Sequence, residues 1–145
     1  MKTDNYTAYL YFRFLPNDRV IGGLLLLNEQ NYPKDFRYCT SDDINPVQKA
    51  LYGDKLSSYL IQSSCNSLLD KLEFEPNYVI TNNFLSNEVL DATYPFFHAS
   101  FSNGESQLRA LNTDEKEIPP SINDSSIITE SFKRIENALK ILIPK

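Results

Sequence analysis

His98 is the one histidine in the chain, so any nucleophilic triad or Cys-His pair has to use it. The nucleophiles on offer are Cys39 and Cys65, and neither sits in a nucleophile elbow or a catalytic-cysteine signature. With Phe96, Phe97 and Phe101 around it, His98 reads as a packed strand histidine. One histidine and two isolated cysteines do not furnish an ordinary zinc site, so neither a metal nor another cofactor is expected. Carboxylates form two clusters. Asp70, Glu73 and Glu75 straddle a helix end before Pro76 and read as its solvated terminus. Asp114, Glu115, Lys116 and Glu117 contain an Asp-x-Lys spacing. A metal-dependent nuclease needs such a pair on a strand beside a second acid, so that two carboxylates hold Mg²⁺. Here the run precedes Pro119-Pro120 and reads as loop. Asp42-Asp43 precedes Asn45, where negative charge suits a helix N-terminus. Gly22-Gly23 lies inside a strand pattern rather than in a loop entering a helix, so it is no phosphate cradle. No catalytic residue is expected from these groups.

Aromatic and apolar residues carry the stronger signal. Eight of the nine tyrosines lie within the first 78 residues, and Tyr9, Tyr11 and Arg13 share one strand face. Tyrosine and arginine together are frequent at binding hot spots. Near the C-terminus Ile128, Phe132, Ile135, Leu139 and Leu142 recur at intervals of four and three, which draws one apolar stripe along a helix. These eight residues are the expected interaction surface, with the stripe either docking on the chain's own sheet or given to a partner.

Charge and composition narrow the partners. The chain has 145 residues, with 19 Asp and Glu against 14 Lys and Arg, for a net charge of -5 and a pI near 4.8. Affinity for nucleic acid grows with the phosphates that Lys and Arg neutralise. The longest cationic run is Lys133-Arg134, so nucleic acid is expected to be an unlikely partner and a basic protein a better one. The longest unbroken aliphatic run is Leu24 to Leu27, which predicts neither a signal peptide nor a membrane helix. Cys39 and Cys65 form no CxxC and read as ordinary thiols of a cytoplasmic protein.

Periodicity gives the elements that must position these groups. Thr7 to Leu15 alternates, with Ala8, Leu10, Phe12 and Phe14 on one face and Tyr9, Tyr11 and Arg13 on the other, which predicts a strand. Pro16-Asn17-Asp18-Arg19 is turn chemistry, and Val20 to Asn28 returns as an antiparallel strand. Its paired glycines predict a bulge or the close approach of another backbone. Phe36 to Cys39 can add a third strand. Asn45 caps, Pro46 suits the first helical position, Gly53 breaks, and a long amphipathic helix follows over 54–73. Tyr78-Val79-Ile80 is a short strand entering the core. Phe84 to Leu90 is ambiguous, and 94–101 is apolar on both faces, hence a buried strand. Residues 102–125 form a polar connection in which 108–111 can add an edge strand, and the final helix spans 126–143.

The expected class is α+β: a mainly antiparallel sheet with one long amphipathic helix packed on it and a C-terminal amphipathic helix after a polar loop. A single domain over 1–145 is expected, its core about 7–101. The order of elements over Thr7 to Leu142 is similar to that of the longin and roadblock group of profilin-like adaptor domains. Without a coherent catalytic set, the expected function is a non-enzymatic protein-protein interaction or regulatory module. Its specific forms are an acidic inhibitor or immunity-type protein bound to a basic partner, and a homodimer. The alternative is an enzyme or enzyme subunit with a site built around His98 and carboxylates, either on its own or completed by another chain.

Overall fold

Nine-residue strands β1 (Thr7–Leu15) and β2 (Arg19–Leu27) pair antiparallel in unbroken register, from Thr7 opposite Leu27 to Leu15 opposite Arg19. The structure, a computed structural model, describes residues 5–15, 19–40, 46–82, 94–102, 105–111 and 125–142. The turn at Pro16-Asn17-Asp18, the Asp42-Asp43 and Asn45 cap, the stretch from Phe84 to Leu90 and the run from Asp114 to Glu117 lie outside the described residues. β3 (Pro33–Thr40) adds antiparallel to β2, and is longer than its apolar centre suggests. Helix α1 (Pro46–Tyr52) buries no residue, and a 3₁₀ turn over Gly53–Lys55 leads into α2 (Leu56–Asp70).

α2 is a crossover. It brings the chain back so that β4 (Tyr78–Thr81) lies beside β1 and parallel to it, and β5 (Phe96–Ser102) lies parallel to β4. Parallel neighbours need such a connection, since no tight turn can reverse the chain twice. β6 (Glu105–Ala110) closes the far edge antiparallel to β5, and α3 (Ser125–Leu142) ends the described chain. The sheet has six strands in the order β3-β2-β1-β4-β5-β6. The class is α+β, as expected, and the sheet is mostly antiparallel with parallel pairs at its centre.

The two helices cover opposite faces. Ala8, Leu10, Phe12, Leu24, Leu26, Val79 and Phe96 pack under Leu60, Cys65, Leu68 and Leu69 of α2. Tyr9, Ile21, Leu25, Ile80, Phe97 and Ala99 pack under Ile128, Phe132, Ile135 and Leu139 of α3. The period-two alternation of β1 therefore feeds two cores, one on each side. The glycine pair records this arrangement. A Cβ on Gly22 would lie 3.2 Å from Leu68 Cδ1 of α2, and one on Gly23 would lie 2.7 Å from Ile135 Cγ2 of α3. The expected bulge does not occur there, because the β1–β2 register is continuous. What approaches is a helix side chain on each face, not another backbone.

Asparagines bracket the central parallel pair. Beyond the last residue of β4, Asn82 Oδ1 accepts the Phe12 N–H at 3.0 Å and Asn82 Nδ2 donates to the Phe12 carbonyl at 3.3 Å. Before its first residue, Asn77 Oδ1 accepts the Tyr6 N–H at 2.8 Å, and the Asn77 N–H donates to the Tyr6 carbonyl at 2.8 Å. A carboxamide thus stands in for a peptide unit and lengthens the ladder of a four-residue strand at both ends.

Candidate functional site

In open sheets with parallel strands, ligand sites form outside the carboxyl ends of those strands. Here the carboxyl halves of β1, β4 and β5 run side by side and α3 crosses over them. Between them lies an open cleft of about 460 Å³. The sheet contributes Tyr11 from β1, Asn82 from the end of β4 and Phe101 from β5. The facing wall is Thr129, Phe132, Lys133 and Glu136 of α3. Their spacing of three, four and seven from Thr129 puts all four on one flank of the helix. Helix and sheet are locked together beneath the cleft by Tyr9, whose ring meets Phe132 edge-on at 5.7 Å. Phe101 meets the same ring edge-on at 6.0 Å and stays 49% exposed at the rim. It was expected to be buried with its strand.

Both walls of the cleft mix polar and apolar side chains. Tyr11 is half-buried, and its phenol is pushed above the ordinary phenol range by burial first and by the Glu136 carboxylate second, with Arg13 acting the other way. The phenol therefore keeps its proton at neutral pH. Arg13, two residues along the same strand face, has a buried Nε that meets no hydrogen-bond acceptor among the described residues. α3 carries Lys133, Arg134 and Lys140 against Glu130 and Glu136, an excess of one positive charge in an acidic chain. Arg134 points away from the cleft, bonding Glu130 at 2.8 Å and the Asn31 carbonyl at 3.0 Å, which pins α3 to the β2–β3 loop.

His98 is on the other face of the sheet. It shares a cross-strand row with Thr81 and Arg109, on the side of α2. Burial pushes its pKa below the ordinary histidine value, while a hydrogen bond to the Asn82 backbone acts in the opposite sense. Among the described residues no carboxylate shares its row, and its hydrogen bond to the Asn82 backbone ties it to a residue that lines the cleft. Among the described residues no three His, Cys, Asp or Glu side chains gather, and Glu136 is the one carboxylate lining the cleft. The described residues thus do not fit the paired carboxylates of a Mg²⁺-dependent nuclease site.

The expected interaction surface divides. Tyr9 is 2% exposed, and Ile128, Phe132, Ile135 and Leu139 are buried against the chain's own sheet. They are unavailable to a partner in this fold, because α3 docks on its own chain. Tyr11 lines the cleft, Arg13 lies next to it, and Leu142 is 45% exposed at the end of α3. Sequence reasoning missed Asn82, Thr129, Lys133 and Glu136. A signal existed for the helix residues, which flank the apolar stripe at helical spacing. Nothing in the sequence separates Asn82 from the other asparagines.

No protein-family model matches the chain, and no curated protein does. Solved structures do. A crystal structure of endonuclease V from Bacillus subtilis aligns with 66% of this chain at a TM-score of 0.50 and 14% identity. The fold is similar to that of endonuclease V. The aligned part is 44% of that enzyme, so this chain spans less than half of its length. Weaker matches are the catalytic domain of human endonuclease V, at a TM-score of 0.31 and 10% identity over 55% of this chain and 33% of that one, and endonuclease V from Ciona intestinalis. The latter, in complex with an inosine-containing 24mer DNA, matches at a TM-score of 0.35 and 11% identity over 94% of this chain and 57% of that one.

The likeness is one of fold, and it overturns several expectations. The sheet is similar in fold to that of endonuclease V, whereas the order of elements had pointed to the longin and roadblock adaptors. The non-enzymatic interaction or regulatory module, in its inhibitor, immunity-type and homodimer forms, is withdrawn. So are the denial of enzymatic activity, the protein partner or self-association, and the statement that nucleic acid is an unlikely partner. The physical error lay in averaging. A net charge describes the whole surface, whereas a substrate meets one cleft, and this cleft has Lys133 on its helical wall.

Proposed function

We propose that this chain is a nucleic-acid-processing enzyme, or a subunit of one completed by another chain, and that the cleft over the carboxyl ends of β1, β4 and β5 faces the substrate. The observation that carries the reading is the position of the cleft: three adjacent parallel strands and α3 converge on it, in a sheet similar in fold to that of endonuclease V. Its lining suits a nucleotide. Tyr11 and the half-exposed Phe101 offer ring surface for a base, and base-aromatic stacking is worth about 1–3 kcal/mol per base. Lys133, with Arg13 close by, offers positive charge for a phosphate. With so few cations, binding is local and covers a short single-stranded segment rather than a length of duplex. Cys39 and Cys65 form no disulfide, which suits a reducing, cytoplasmic setting.

The test is binding and turnover by the whole chain. Fluorescein-labelled single-stranded DNA and RNA 12-mers are titrated at low salt by anisotropy, then incubated and resolved by length. The expected result is micromolar binding that weakens with salt and drops at least about fivefold in Lys133→Glu, with shortening of one of the two strands. Absence of binding to both strands at tens of micromolar protein would overturn the reading.

A further inference from the structure

We infer that the cleft cleaves RNA by metal-independent transphosphorylation, with the ribose 2′-hydroxyl as nucleophile. The inference rests on the reading above and names its substrate and chemistry. It begins from the composition of the cleft. Hydrolysis by bound metal ions calls for clustered oxygen donors, and among the described residues the cleft has a single carboxylate. What it has instead is one of each group that acid-base cleavage requires: a carboxylate, a phenol and an ammonium, from Glu136, Tyr11 and Lys133. Glu136 stands on the helical wall and Tyr11 on the sheet wall, near enough for the carboxylate charge to act on the phenol.

The step balances with these groups alone. The Glu136 carboxylate accepts the proton of the 2′-hydroxyl, and the freed oxygen attacks the adjacent phosphorus. The P–O2′ bond forms, the P–O5′ bond breaks, and the departing O5′ takes the proton of the Tyr11 phenol. Lys133 faces the charge that grows on the non-bridging oxygens. The products are a 2′,3′-cyclic phosphate and a free 5′-hydroxyl. Glu136 then holds a proton that Tyr11 lacks, and transfer between them restores the site. No oxidant, metal or cofactor enters, and water is not consumed. Phe101, half-exposed at the rim, is placed to hold a base beside the reacting phosphate.

The substrate class follows from the nucleophile: RNA is cleaved, and the same sequence in DNA is bound but left intact. The experiment uses the full chain, a labelled RNA 12-mer and its 2′-deoxy counterpart, all in excess EDTA, with the RNA ends identified by mass spectrometry. The expected result is RNA cleavage to 2′,3′-cyclic phosphate ends, no DNA cleavage, and a rate at least about 100-fold lower in Glu136→Gln and in Tyr11→Phe. RNA affinity should stay within about threefold in both variants, and each should unfold in urea as a folded protein does. Cleavage that needs Mg²⁺, cleavage of DNA as fast as RNA, or binding of RNA without any cleavage would each overturn the inference while leaving a nucleic-acid site in place. Failure to bind either strand would overturn the underlying reading as well.

Discussion

Replacing Gly23 by alanine tests whether α3 is seated on the sheet as described, and with it the existence of the cleft. The new Cβ would stand 2.7 Å from Ile135 Cγ2 and 3.3 Å from Leu139 Cδ1. Real Cβ atoms do not come within 3.0 Å of a neighbour, so something has to shift. Ile135 is fully buried and β-branched, hence stiff at χ1, and the helix itself must lift. Overpacking of this kind costs about 1–3 kcal/mol. Alanine also restricts the unfolded chain, which offsets roughly 0.4–1 kcal/mol. The net loss is therefore about 0.5–2 kcal/mol, or a few degrees in Tm for a chain of this size. Gly22→Ala is the control, because its nearest neighbour is the flexible end of Leu68 at 3.2 Å, and its effect should stay within about 0.5 kcal/mol. Ile135→Leu removes the offending Cγ2 at constant volume and should recover part of the loss in the Gly23→Ala background. Urea unfolding of the wild type, both single variants and the double variant reads the coupling, expected at about 0.5 kcal/mol or more. Stability unchanged in Gly23→Ala, or additive effects in the double variant, would show that α3 does not rest on β2 at this point.

Further outcomes follow from the same geometry. Asn82→Ala strips both side-chain partners from the Phe12 peptide groups; denaturation should show a loss of about 1–3 kcal/mol, and hydrogen exchange should quicken at Phe12. His98 has a folded pKa below its unfolded one, so the unfolded chain binds the proton more readily and stability falls as pH drops from above 6.5 towards the folded value. His98→Gln should flatten urea midpoints across that window. In Glu136→Gln one of the causes that raise the Tyr11 pKa is gone. Ultraviolet titration, with Tyr11→Phe as the reference, should find the Tyr11 phenol ionising at lower pH than in the wild type.

Much of the fold was legible in the sequence because its strands and helices obey simple periods. The alternation of β1 assigned its core residues to the correct sides, and the four-three spacing along α3 marked the four apolar residues that it buries, with Leu142 left half-exposed at its end. What stayed hidden was the direction of pairing. β4 has Val79, Ile80 and Thr81 buried on both faces, and such continuous burial is the mark of a parallel strand between two helical layers. It was read only as entry into the core, because a four-residue strand carries too little pattern to choose its neighbour. The cleft suffered from that omission. Tyr11, Asn82 and Phe101 lie far apart in sequence and meet only when β1, β4 and β5 run side by side. The apolar stripe of α3 drew attention to the residues that hold the helix down, whereas the residues that face the cleft lie along its flank. His98 attracted notice by rarity, yet its place on the α2 face follows from the same alternation of β5 that the sequence displays.

The account stands on nucleic acid entering the cleft between α3 and the carboxyl ends of β1, β4 and β5. Photo-crosslinking to a short RNA that carries 4-thiouridine, followed by mapping of the modified peptides, locates the contact directly. Crosslinks at Tyr11 or Phe101 are the predicted result. Crosslinks confined to α1 or β3, at the opposite side of the sheet, would contradict it.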